Sequence, residues 1–181
     1  MERFSRFLNA LFILALMGVL AAAYYQQYFK HQRPCPLCIL QRISMIGVSM
    51  GLFLNLRNKI SSSNYGYSII FAIFGSGVSL RQIALHVCFN FPVFGIPVFG
   101  LELFTWAFLV FAASIFSIGV LLFLIPEKQS VKKMNWFEGI SGAILLVLLA
   151  SNCFTTFLEC SFGLCIDLPY PHPLLHNFFI Q

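Results

Sequence analysis

The sequence predicts an all-α fold: a polytopic membrane helical bundle with a four-helix core and a fifth, C-terminal transmembrane helix. Three observations predict it. Of 181 residues, 59% are hydrophobic and only 9% are charged, whereas a soluble domain carries about 25% charged residues. Five apolar runs approach the ~20 helical residues that a hydrocarbon core requires. No period-two pattern of the barrel type is present, so the backbone of each run must satisfy itself as a helix. The chain reads as a single membrane domain, 1–181, ending in an external tail, 159–181. Its net charge of +5 comes from short clusters between the apolar runs. That distribution excludes the basic stripe a nucleic acid would need.

The first run, 7–28, follows Arg3 and Arg6. It is longer than the apolar region of a cleaved signal peptide, so it reads as a retained span. The second, 39–56, is the shortest, and "RPCPLCILQR" stands at its head. Arg57 and Lys59 follow in "RNKISSSNYGYS". The third run, 67–87, carries polar residues and contains "RQIALH" near its end, with Cys88 just beyond. The repeat "PVFGIPVFG", 92–100, has two Pro and two Gly and reads as a turn-rich loop in the membrane interface. It serves either as an apolar linker or as a ligand contact. The fourth run, 101–125, has Glu102 marking its external end, and Lys128, Lys132 and Lys133 follow in "PEKQSVKKMNW". For the fifth, 137–158, Glu159 marks the external end.

Alternating these spans puts Arg3, Arg6, Arg57, Lys59, Lys128, Lys132 and Lys133 on one side. The other side has Lys30 and Arg33 in its loops, with Arg42 and Arg81 inside helices or at their ends. The positive-inside rule then predicts a cytoplasmic N-terminus and an external C-terminus. On this topology Cys35, Cys38, Cys88, Cys160 and Cys165 all face outward, where thiols can form disulfides. Cys153 lies within the fifth span and is expected to be a small buried apolar side chain.

Cys38 begins the second helix, where free N–H groups and the helix dipole favour a thiolate. Arg42 is one turn on, on the same face, and its guanidinium cannot be neutralised. Cys35 can close a small disulfide loop onto Cys38, stiffened by Pro36. In "ECSFGLC", Gly163 gives turn freedom between Cys160 and Cys165. Two dithiols on one face suggest a relay: a soluble thiol attacks the tail pair, which exchanges with Cys35 and Cys38. The neighbouring solvent is lipid, so a lipid-soluble quinone is the natural acceptor, with Arg42 polarising its carbonyl oxygen.

"CPLCILQR", residues 35–42, resembles the signature of the disulfide bond formation protein B (DsbB) family. These are bacterial inner-membrane quinone reductases that reoxidise DsbA, a periplasmic thioredoxin-fold dithiol oxidase. The resemblance implies that Cys35 and Cys38 are the quinone-coupled pair, that Cys38 contacts the quinone, and that Arg42 belongs to its site. It also implies ubiquinone or menaquinone as cofactor, and a DsbA-like oxidase as partner. Arg81 and His86 match further quinone-site positions loosely. The best-known members have four spans and carry their second cysteine pair between the third and fourth. Here that loop holds only Cys88, and Cys160 and Cys165 are assigned as the partner-facing pair by topology and spacing.

Other readings of the same residues stand beside this one. The four paired cysteines match a structural zinc site or two structural disulfides. A vitamin K epoxide reductase-like enzyme also places Cys-x-x-Cys at a helix end. Arg81 is either functional or snorkels to the interface. His172 and His176 are flanked by prolines that argue against a helical metal pair.

Overall fold

A computed structural model of the chain describes residues 2–29, 36–89, 97, 99–125 and 136–160. Its elements are α1 (Glu2–Phe29), α2 (Pro36–Arg57), α3 (Ser62–Phe89), α4 (Leu103–Phe123) and α5 (Trp136–Cys160). All five expected helices are present. The first four are long and apolar enough to cross a membrane, and the apolar stretch of α5, Glu138–Phe154, is shorter. The chain is thus a multi-pass helical membrane bundle.

Helix ends depart from the apolar runs where local hydrogen bonding decides them. The third run begins at 67, but α3 begins five residues earlier. Ser61 caps it, its Oγ accepting the Ser63 N–H at 3.3 Å, while Asn55 Oδ1 accepts the Ser61 N–H at 2.9 Å. An N-cap hydroxyl of this kind satisfies one of the orphan donors of a first turn. Before α4, Phe99 and Gly100 have φ of 52° and 77°, a left-handed turn of the sort expected for this end of the PVFG repeat. The rest of the repeat, apart from Pro97, lies outside the described residues.

The central helix is α2, packed against α1, α3, α5 and, less extensively, α4. Within its apolar window 61% is buried inside the bundle, against 28% for α3 and for α4. Lipid tails are as apolar as leucine, so helices here associate through close packing and hydrogen bonds. Gly47 and Gly51, a Gly-x-x-x-Gly pair, supply the close approach. A Cβ on Gly47 would collide with the Phe71 ring, and one on Gly51 with Ser68 Oγ and the Asn64 carbonyl. Ser68 in turn donates to the Val48 carbonyl at 2.9 Å, tying α3 to α2. The same device seats Phe111 of α4 against Gly75 and Phe53 of α2 against Gly142 of α5.

A buried polar cluster closes the end of the bundle where α1, α3 and α5 begin and α2 finishes. Arg6 Nε and Nη2 donate to Glu138 Oε1 and Oε2 at 2.9 and 3.0 Å, and Nη2 also donates to the Leu56 carbonyl. One ion pair therefore joins α1, α2 and α5. Beside it Asn9 Nδ2 donates to Tyr65 Oη at 2.8 Å, adding α3.

Candidate functional site

At the opposite end of the bundle, α2 begins with Cys38, Gln41 and Arg42 on its inward side. Cys38 is half-buried, and Gln41 and Arg42 are buried. Gln41 Nε2 donates to Gln82 Oε1 of α3 at 3.0 Å. With its oxygen engaged, the Gln82 amide turns its nitrogen to Cys38 Sγ at 3.7 Å. The motif at the head of α2 is thereby locked to α3 through one pair of amides.

Arg42 is held by α1. Its Nη1 donates to Gln27 Oε1, its Nη2 to the Ala23 carbonyl at 3.5 Å, and its Cζ lies 4.8 Å above the centre of the Tyr24 ring. Tyr24 Oη donates to Asn152 Oδ1 of α5 at 3.1 Å. Among the described residues no carboxylate lies within ion-pair distance of Arg42. A guanidinium has five N–H donors, and the described residues engage two of them here.

The structure brings together only some of the residues singled out from the sequence. Cys38 and Arg42 share the inward side of α2, one turn apart. His86 is half-buried on α3, one turn beyond Gln82, with its ring tilted against Phe104 at 5.5 Å between centroids. Arg81 is exposed on the outer face of α3 and does not join the cluster. Its neighbour Gln82 does, since successive helical residues point about 100° apart. Cys88 is an exposed thiol on the last turn of α3.

Cys153 corrects an expectation: it is exposed on the outward side of α5, and Asn152 takes the buried position instead. Phase explains the exchange. The buried face of α5 runs through Glu138, Ser141, Gly142, Leu145 and Asn152, and Cys153 falls off that stripe. Cys160 is the last residue of α5, so the helix carries its backbone toward the Cys38 end, about 12 Å beyond Asn152 by the helix rise. Cys35 and Cys165 lie outside the described residues. Gln27, Tyr24, Gln82 and Asn152 were not singled out from the sequence. The signal available was their polarity inside apolar helices, which is costly in lipid unless partnered.

Similarity to known proteins covers the part of the chain that carries this site. A family model described as disulfide bond formation protein DsbB matches residues 5–95, which takes in α1 to α3 and stops short of α4. Among curated proteins named disulfide bond formation protein B, that of Chromobacterium violaceum is 40% identical over 75 residues, covering 39% of this chain and 45% of its own length. That of Marinobacter nauticus is 36% identical over 86 residues, covering 45% and 51% respectively. That of Acinetobacter baylyi is 33% identical over 85 residues, covering 44% and 50%. The chain thus spans about half the length of the curated relatives it matches. No solved structure matches it. The matched half of the chain holds Cys38, Gln41, Arg42 and Gln82 together with the Arg42-binding turn of α1, and by that match the chain belongs to the DsbB family of disulfide bond formation proteins.

Proposed function

We propose that the chain is a thiol:quinone oxidoreductase of the bacterial inner membrane, with its N-terminus cytoplasmic and its C-terminus periplasmic. In this reading it reoxidises a periplasmic DsbA-like dithiol oxidase. Electrons enter at Cys160 and Cys165, pass to Cys35 and Cys38, and leave to ubiquinone or menaquinone. The observation that carries the proposal is Arg42: a buried cation with uncommitted donors and no carboxylate near it among the described residues, one turn from Cys38. A carboxylate there would neutralise the charge, while neutral acceptors such as Gln27 and Ala23 leave it intact.

The residues present fit a quinone, whose carbonyl oxygens need N–H donors beside a thiol in an apolar setting. Bound there, it would take up the two electrons and two protons released as the partner's two thiols become a disulfide. Arg42 would hold one carbonyl oxygen and stabilise negative charge developing on it. Gln82 points its amide nitrogen at Cys38 Sγ, and Cys38 lies in the first turn of α2, where the helix dipole favours negative charge. Both support negative charge on that sulfur.

The test is quinone reduction by the purified protein with a reduced DsbA-like oxidase. Cys38→Ser should abolish turnover while the helical content is retained, and full activity in that variant would overturn the mechanism. Topology has its own check. An impermeant thiol reagent applied after reduction should reach Cys165 from outside; labelling from the cytoplasmic side alone would end the relay.

A further inference from the structure

We infer that Asn152 of α5, acting through Tyr24, is a positioning residue for Arg42, so that α5 sets how tightly the quinone is held. The inference rests on the thiol:quinone reading and extends it to a helix outside the stretch shared with the DsbB family model. Among the described residues, Arg42's side-chain hydrogen bonds and its ring contact come from one turn of α1: Ala23, Tyr24 and Gln27. Tyr24 is 7% exposed and Asn152 4% exposed, so their hydrogen bond is sheltered from competing solvent.

That bond does two things to the ring. It fixes the direction of the phenol, and with it the tilt of the face that the guanidinium covers. Donating its proton also leaves the phenol oxygen more electron-rich, and the ring face attracts a cation through that electron density. Arg42 is thereby pinned on its ring side, which keeps its remaining N–H groups facing a constant direction. Loss of the bond lets Tyr24 tilt and Arg42 drift, which weakens quinone binding without removing the cation. Cys160 lies eight residues beyond Asn152 on the same helix, so the segment that positions Arg42 also leads to the tail cysteines.

The test compares wild type, Arg42→Ala, Tyr24→Phe, Asn152→Leu and the Tyr24→Phe/Asn152→Leu double variant in detergent. Equilibrium binding of a short-chain ubiquinone analogue is measured by calorimetry. Steady-state reduction of the same analogue is measured with dithiothreitol, which becomes its cyclic disulfide as two electrons and two protons reach the quinone. Tyr24→Phe and Asn152→Leu should each raise Kd and KM about three- to tenfold, as expected for a weakened cation–π contact. Their kcat should stay within about twofold, and the double variant should be no worse than the worse single. Wild-type Kd in either single variant, or effects that multiply in the double, would overturn the inference. Should Asn152→Leu fail to fold, Tyr24→Phe decides the matter, because it keeps the ring and removes only the hydroxyl. A wild type that neither binds nor reduces the analogue sinks the thiol:quinone reading itself. Weakened binding in Arg42→Ala with unchanged binding in Tyr24→Phe sinks only the role of Asn152.

Discussion

Arg6 and Arg42 sit at opposite ends of the bundle, 4% and 8% exposed, and the protein surrounds them differently. Arg6 meets both oxygens of Glu138 and a backbone carbonyl, so its charge is matched on the spot. Among the described residues Arg42 meets an amide oxygen, a distant carbonyl and an aromatic face, none of which cancels its charge. Bidentate pairing of guanidinium with carboxylate is strong and geometrically specific, and at Arg6 it knots three helices. A cation given only neutral company keeps its field available to something else. Among buried arginines in a membrane, the nature of the partners separates a structural joint from a binding group.

Substitutions at the two ends can break or sharpen that contrast. The largest effect is expected for Glu138→Leu, which leaves Arg6 buried without its counter-charge. Breaking a buried pair from one side costs about 3–5 kcal/mol, to be read as a lowered thermal midpoint in detergent. Arg42→Ala comes next and acts on a different quantity. Losing hydrogen bonds from a charged group corresponds to about 1.5–3 kcal/mol, so quinone KM should rise at least about tenfold. Its thermal midpoint should fall less than that of Glu138→Leu. If Arg42→Ala instead unfolds as readily as Glu138→Leu and its KM is unchanged, Arg42 is packing and the contrast collapses. Arg42→Lys should rescue KM only partly, because an ammonium lacks the planar fork. The smallest change is expected for Arg6→Met combined with Glu138→Leu. Replacing both members by apolar groups of similar size is often neutral or stabilising, so this double variant should melt near wild type. If it melts as low as Glu138→Leu alone, the ion pair is itself a large source of stability.

Much of this arrangement is legible in the sequence. The five helices follow from apolar runs, because a backbone in lipid has few ways to pair its polar groups. The shared face of Cys38 and Arg42 follows from their spacing of four on one helix. Less was legible where helix phase or neighbours mattered. Arg81 drew attention through its charge, yet Gln82 is the residue that turns inward. Cys153 was expected inside, yet Asn152 holds that position. Arg6 counted as a topology signal, and its pairing with Glu138, 132 residues away, depends on α5 packing beside α1.

The sequence alone determined the membrane class, the number of helices and the placing of a thiol and a fixed cation at the head of α2. Each of these is a local property, set by composition, run length and helical pitch. Only the tertiary structure decided which buried arginine is neutralised, which amide reaches the Cys38 sulfur, and that α5 touches Arg42's support through Asn152 and Tyr24. Those outcomes depend on how far each helix is rotated about its own axis and which helix stands next to it. Glycine contacts and side-chain shape set both, and those exist only once the helices have packed.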